Sequence, residues 1–270
     1  MVLSMVRQVP ARLRRAAPLF FSRTLPLALS LSLLWCGACH AAPLQPYRLV
    51  AGELPPFATE SDPRGQGALV EIVQELARRL GTPPKVEFYP WQRALMMTAN
   101  LHHIAVLPLT RTPERESQYR WLAHLYMQRF VFVARHGSVN VNDLDELRKR
   151  RVAVLRGSLH LEALTEQKFQ HLIECATASE CMRMVATGLA DASYGSEAVR
   201  RSALNLGHGK EADFDYSLPF RAGEIWLAGS LDFSDAEAAS WRGAMAAMRA
   251  DGSAARILRK YGLDPDLDKP

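Results

Sequence analysis

The segment Leu107-Pro-Leu-Thr-Arg-Thr-Pro-Glu-Arg115 is the decisive part of this 270-residue chain. The apolar run Ile104–Leu109 predicts a buried strand that ends at a proline. After it, Pro113 with Thr112 as N-cap predicts a short helical turn. A helix start offers free backbone N–H groups and an arginine offers a bidentate fork, so this junction suits a carboxylate. An ordinary turn whose arginines pair with surface acids is the alternative.

The first 41 residues have the composition of an export signal. Five arginines and no acidic residue occur there, with an apolar core, Leu25–Trp35, and a small-residue cleavage site at Cys39-His-Ala41. The apolar run is shorter than the ~20 residues of a membrane-spanning helix. We predict a signal peptide over residues 1–41 and a periplasmic mature protein, with a lipid-anchored form at Cys39 as the minor alternative.

The excess of positive charge belongs to this leader. The whole chain has 33 lysines and arginines against 28 acidic residues, and without residues 1–41 the numbers are equal. A balanced mature chain does not favour a nucleic-acid partner, which requires a retained basic surface. No pattern in the sequence predicts a cofactor.

Strand-like and helix-like segments alternate through the mature chain, which predicts an α/β fold with parallel sheets. The segments around Val131–Arg135 and Phe220–Leu227 have the pattern of two hinge crossings between two Rossmann-like lobes. We expect a discontinuous first lobe, residues 42–134 plus 222–270, and a second lobe, residues 135–221. A cleft between two lobes is the usual place for a ligand.

Two cysteines, Cys175 and Cys181, remain after removal of the leader. An exported protein meets an oxidising compartment, so we predict a disulfide between them. Their spacing does not fit a C-x-x-C redox or metal site. His102 and His103 are adjacent, and adjacent residues of a strand face opposite ways, so we predict no metal site there.

Several motifs follow one another in a fixed order. They are the Pro55-Pro-Phe57 loop, Gly67 followed by Glu71, Thr110–Arg115, Asp143-Leu144 with Arg151–Ser158, Gly188–Ala192, and the ending Met248–Gly262. In this order they resemble the bacterial extracellular solute-binding proteins of family 3, the polar amino-acid-binding class of the type II periplasmic binding fold. The resemblance covers roughly residues 47–264 and implies a Venus-flytrap architecture.

The resemblance also implies a set of ligand contacts. Arg115 would hold a carboxylate with help from Thr110, and Arg111 either shares that task or faces solvent. The Phe57 ring on the Pro-Pro loop would pack on the ligand, and Trp91 of the Trp-x-Arg segment would form a wall of the cleft. The second-lobe turn would contribute Gly157 and Ser158. The strand that follows would contribute Tyr194 and Ser196.

Three positions depart from the family pattern. Pro108 replaces a usual Ser or Thr, Leu159 replaces a frequent Thr, and Ser196 stands where an aspartate usually binds the ligand's ammonium. A neutral serine cannot offset a buried ammonium as a carboxylate does. Glu197 could replace that aspartate only if the register shifts by one residue. The sequence thus supports a carboxylate more than an amine.

We predict a monomeric binding protein that closes around a small polar, carboxylate-bearing solute, an amino acid or a relative of one. The resemblance implies delivery to an ABC-type permease in the inner membrane. An enzyme of the same fold, such as a dehydratase, is one alternative, with Glu53, Glu197 and His160 as acid/base candidates. An extracytoplasmic sensor or accessory protein is the other.

Overall fold

One continuous sheet runs through the computed structural model, which describes residues 46–83, 85–204 and 209–267. The described residues contribute nine strands to it. They are β1 (Arg48–Ala51), β2 (Val86–Phe88), β3 (Ile104–Thr110), β4 (Arg120–Arg135), β5 (Arg151–Leu155), β6 (His171–Cys175), β7 (Ala192–Ser196), β8 (Phe214–Tyr216) and β9 (Arg221–Gly229).

The strand order is β2-β1-β3-β9-β4-β7-β5-β6, with β8 paired to β4. The group β2-β1-β3 is parallel, and so is the group β7-β5-β6. Between them lie β9 and β4, which are antiparallel to each other and to the strands they meet. The two segments predicted as hinge crossings therefore lie in β4 and β9, the long strands between the two parallel groups.

Eight helices within the described ranges cover this sheet. They are α1 (Ala68–Arg79), α2 (Trp91–Asn100), α3 (Leu144–Leu147), α4 (Leu159–Glu166), α5 (Ala178–Thr187), α6 (Glu197–Leu204), α7 (Asp235–Ala250) and α8 (Ser253–Lys260). Helical spacing of apolar residues explains α1, whose buried face includes Leu69, Ile72, Val73 and Leu76. Ser234 and Glu237 form a capping box that begins α7.

The helices pack on both faces of the sheet and form four apolar clusters. In the first strand group, α1, α7 and α8 cover one face and α2 covers the other. In the second group, α3 and α4 cover one face and α5 and α6 the other. Each strand group is thus a three-layer α/β unit, as the alternation of segments predicted.

Two strands differ from the prediction. The strand predicted to end at a proline continues through Pro108 to Thr110, because the pairing with β9 shifts register between Val106 and Leu109, where a residue without N–H is tolerated. The crossing predicted around Val131–Arg135 is the last part of a longer strand, β4, which pairs with β9 over its first part and with β7 over its last.

The predicted disulfide is confirmed. Cys175 at the end of β6 is bonded to Cys181 in α5, with Cα atoms 5.4 Å apart. None of the helices in the described ranges has the length and apolar character that a membrane-spanning helix needs. The predicted signal peptide, with the lipid-anchor alternative at Cys39, lies outside the described residues. Residues 41–270 form one compact unit, and the lobe boundaries within it stay a prediction.

Candidate functional site

The short turn after β3 begins where the sequence predicts it, with Thr112 at the N-cap position and Pro113 at the first helical position. It is a 3-10 turn of three residues, Pro113–Arg115, and the Thr112 side chain makes no capping hydrogen bond to it. Such a turn has too few aligned peptide groups to act as a helix N-terminus toward an anion. The expectation of a helical anion site was therefore wrong, and any anion recognition here depends on side chains.

Arg115 has the properties of a residue that binds anions. Its Nη1 donates to the Thr110 carbonyl oxygen at 3.1 Å, which fixes the side chain at the end of β3. The side chain is half-buried, and this burial lowers the pKa of its guanidinium below the usual value. No carboxylate among the described residues lies within 4.0 Å of it. Its other N–H groups remain available to an acceptor.

Arg111, four residues earlier, is fully engaged. Its Nε and Nη2 donate to the two carboxylate oxygens of Glu116 at 2.9 and 2.5 Å. Its guanidinium lies 4.7 Å from the ring centroid of Trp226 and 5.2 Å from that of Trp121. A paired and stacked guanidinium stabilises the fold locally, so we omit Arg111 from the ligand contacts.

Thr110 belongs to a polar row across the crossing strands. Gln128 of β4, 5 % exposed, donates from Nε2 to Thr110 Oγ1 at 3.1 Å. Gly223 of β9 leaves room for this contact, because a Cβ there would lie 2.9 Å from the Phe130 ring and 3.3 Å from Thr110 Cγ2. The sequence analysis missed Gln128, although a polar residue two places before Phe130 in an apolar alternation was a usable signal.

Tyr194 and Ser196 of β7 lie on the same face of the sheet as Thr110 and Gln128. Residues directly opposite each other on neighbouring strands point to one side of the sheet. Ser196 pairs with Phe130 of β4, which pairs with Arg221 of β9. Ser196 is 7 % exposed, and its Oγ has no hydrogen-bond partner among the described residues. We call this face of β4, β7 and β9 the floor.

Aromatic rings enclose the second-group end of the floor. The imidazole of His160 lies 4.8 Å from the Phe130 ring and 5.1 Å from the Tyr194 ring. Burial lowers the pKa of His160 to about 3, and the charges of Arg200 and Arg221 act in the same direction. His160 is therefore neutral at neutral pH.

The turn before α4 approaches the start of α2. Gly157 has φ +69°, and a Cβ on it would lie 2.6 Å from Nε2 of Gln92. Ser158 caps α4 by accepting from the His160 N–H at 3.4 Å, and it donates to the Leu155 carbonyl oxygen at 2.6 Å. A side chain of the first strand group thus touches the backbone of the second group at this point.

Trp91 and Phe57 pack inside the first strand group. The Trp91 ring lies against Gly52, where a Cβ would be 2.7 Å from it, so its structural interpretation is favoured over a cleft wall. Phe57 is completely buried, with its ring centroid 5.7 Å from that of Tyr126. The prediction of an exposed ring at Phe57 was wrong, because α1 begins by donating the Leu69 N–H to the Phe57 carbonyl oxygen, which folds the loop inward.

His102 and His103 lie before β3, not in a strand. Both Nδ1 atoms approach Asp232 Oδ2, at 3.3 and 2.8 Å. The two imidazole rings therefore contact the same carboxylate. The sequence analysis treated the two histidines as strand residues that face opposite ways and did not predict this contact. Among the described residues, no group of three His, Cys, Asp or Glu has an arrangement that could hold a metal ion.

The candidates for acid/base catalysis are dispersed. Glu53 accepts hydrogen bonds from Thr59 Oγ1 at 2.5 Å and from the Glu60 N–H at 2.8 Å. Glu197 forms ion pairs with Arg129 and Arg201. Neither is paired with His160, so no proton-transfer pair forms from these three. The arrangement can hold a polar anion by hydrogen bonds and rings.

Comparison with known proteins gives the family. The sequence profile of the bacterial extracellular solute-binding proteins, family 3, matches residues 49–264. Among curated protein sequences the comparison found no significant match.

Similar solved structures share the fold. A histidine kinase sensor domain with similarity to periplasmic binding proteins has TM-score 0.72 and 20% identity, covering 81% of this chain and 98% of that one. The arginine-, lysine-, histidine-binding protein ArtJ of Geobacillus stearothermophilus has TM-score 0.70 and 16% identity, covering 83% and 99%. An ancestral arginine-binding protein bound to arginine has TM-score 0.66 and 20% identity, covering 83% and 100%. With a match of the profile over most of its length, this chain belongs to the bacterial extracellular solute-binding proteins, family 3.

Proposed function

We propose that the protein is an exported solute-binding protein that closes around a small carboxylate-bearing solute. Arg115 would hold the carboxylate by charge-assisted hydrogen bonds, with Thr110 beside it. The observation that carries this proposal is the half-buried Arg115 guanidinium, which has no carboxylate partner among the described residues. A buried cation without a counter-ion is costly to the apo protein, and a bound carboxylate would offset that cost.

Closure would bring two lobes together, residues 42–134 plus 222–270 and residues 135–221. The contact of Gln92 with the Gly157 turn supports this proposal, since the two residues belong to different strand groups. The ligand would favour the closed form through its higher affinity for that form. We further propose that the protein acts in the periplasm as a monomer and delivers its solute to an ABC-type permease.

A role as a sensor is the second candidate. The similar structure with the highest TM-score of the three above is described as a histidine kinase sensor domain. In that case the closed, liganded protein would be presented to a receptor and not to a permease. Pull-down of membrane extracts with liganded protein, compared with ligand-free protein, would show which membrane partner is retained.

The test of the carboxylate anchor compares two arginines of the same turn. Arg115→Met should weaken binding of a carboxylate solute by at least about 30-fold, because the ligand's charge loses its buried partner. Arg111→Met removes the same charge from the same segment, and the affinity should change by less than about threefold. Isothermal titration of the mature chain, after a thermal-shift screen of amino acids, keto acids and aromatic acids, measures both. Equal affinities of wild type and Arg115→Met would exclude the anchor.

A further inference from the structure

The floor carries positive charge at its second-group end. Arg221 begins β9, directly opposite Phe130 and one strand away from Ser196. It is exposed, lies 5.9 Å from the Phe220 ring centroid, and forms no ion pair with any described residue. Its charge is the smallest of the three causes that lower the pKa of His160, after burial and the charge of Arg200.

A second cation lies behind β7, the strand that carries Tyr194 and Ser196. Arg200 of α6 is 2 % exposed and donates from Nη2 to the Tyr194 carbonyl oxygen at 2.7 Å. Gly195 is required there, because a Cβ would lie 2.5 Å from Nη2. Burial lowers the pKa of Arg200 to about 10, so it is still charged at neutral pH. No carboxylate within the described ranges lies within 4.0 Å of it.

The acidic residues next to the floor are turned away from it. Glu197 follows Ser196 but pairs with Arg129 and Arg201, at 3.1 and 3.0 Å. Glu224 accepts from Trp226 Nε1 at 2.8 Å on the opposite face of β9. The Ser196 hydroxyl on the floor is neutral and has no hydrogen-bond partner among the described residues. An ammonium bound here would meet two arginines and no counter-ion, which is unfavourable in a low-dielectric cleft.

The two ends of the floor are separated by a distance that a small molecule can bridge. Thr110, next to Arg115, pairs with Ile225 of β9. Arg221 lies four residues before Ile225, which is about 13 Å along an extended strand. Because arginine side chains are long and flexible, a short-chain solute could contact a guanidinium at each end of this span.

We propose that the solute has two anionic ends and no ammonium, that is, a short dicarboxylate, and that Arg221 binds the second anionic group. This inference rests on the proposed function, which assigns the first carboxylate to Arg115. It names a chemical class that differs from the acidic amino acids glutamate and aspartate at one position, the ammonium. Arg221 is then a specificity-determining residue, and Arg200 contributes positive potential from behind β7.

The experiment compares ligands that differ by one group. The probes are succinate, glutarate and adipate as dicarboxylates, L-glutamate with the added ammonium, and butyrate with one carboxylate. We expect the best dicarboxylate to bind the mature chain at least about tenfold more tightly than L-glutamate and butyrate. Tighter binding of L-glutamate, or no binding of any dicarboxylate at about 10 mM, would overturn the proposal.

Variants separate this proposal from the one on which it rests. Arg221→Gln should weaken dicarboxylate binding about tenfold and leave butyrate binding unchanged, whereas Arg115→Met should weaken both. Arg135→Gln removes an exposed charge at the far end of β4 and should change neither. Equal dicarboxylate affinity in wild type and Arg221→Gln contradicts the role of Arg221. Equal butyrate affinity in wild type and Arg115→Met contradicts the carboxylate anchor instead.

Discussion

The two faces of the crossing strands β4 and β9 differ in how their polar groups are satisfied. On one face Arg129 pairs with Glu197, and Glu224 accepts from the Trp226 indole. The floor, on the other face, has the Ser196 hydroxyl and the Arg221 guanidinium without a partner of opposite charge. Buried polar groups in proteins are nearly always paired. Atoms without a hydrogen-bond partner among the described residues also lie off the floor, such as Arg129 Nε and Arg200 Nε. What distinguishes the floor is that the two nearby carboxylates, Glu197 and Glu224, are both engaged on the other face.

The largest effect should follow from filling the space on the floor. Gly223→Val places side-chain atoms against the Phe130 ring and Thr110, so the free energy of unfolding should fall by about 1–3 kcal/mol. Ala222→Val adds the same kind of bulk one residue away, on the opposite face, and should cost less than about 0.5 kcal/mol. Urea unfolding of both variants measures the difference. Equal free energies of unfolding for the two variants would contradict close packing of Phe130 and Thr110 against Gly223.

The acid dependence of stability should come partly from His160. Its folded-state pKa is about 3 against 6.5 for an ordinary histidine. Below pH 6.5 the unfolded chain therefore binds a proton that the folded protein does not. This contribution to stability is complete above pH 6.5 and is lost as the pH falls toward 3, by at most about 1.4 kcal/mol per pH unit.

Removal of the His160 imidazole should reduce the loss of stability as the pH falls. His160→Gln should lose less stability than wild type between about pH 7 and about pH 5. His171→Gln changes an exposed histidine at the start of β6 and should keep the wild-type slope. Urea unfolding at the two pH values tests the prediction, and identical slopes for wild type and His160→Gln would contradict it.

The smallest effect should come from the hydrogen bond between Gln128 and Thr110. Gln128→Leu removes the Nε2 donor and should weaken solute binding by about fivefold, since one neutral hydrogen bond contributes about 1 kcal/mol. Met127→Leu alters the neighbouring residue, whose side chain points to the other face, and binding should not change. Isothermal titration of the two variants compares the faces directly. A larger loss of solute affinity in Met127→Leu than in Gln128→Leu would mean that the solute binds the opposite face of β4.

Local patterns predicted much of the fold because they reflect local physics. The period of apolar residues predicts α1 and α7, and the two cysteines that remain in an exported chain predict the disulfide. The end of β3 was misplaced because a proline is tolerated where the ladder with β9 shifts register. That shift is a property of pairing with a strand more than a hundred residues away.

The site was predicted less completely, for the same reason. Arg111 and Arg115 have similar local sequence surroundings, and only the fold brings Trp226 to Arg111. Arg221 was not selected because nothing near it in sequence indicates that Phe130 lies opposite. Phe57 was taken for an exposed ring because the Pro-Pro loop does not reveal Tyr126 behind it.

The continuity of β4 has a mechanical consequence. Because this 16-residue strand is hydrogen-bonded to β9 and then to β7, rotation of one strand group against the other would be distributed as twist along β4 and β9. Residues close to such an axis travel least, and residues away from the two strands, such as Gln92 of α2 and Gly157 before α4, travel further. An optical probe of closure would therefore give its greatest signal at position 92, beside Trp91, and almost none on the floor.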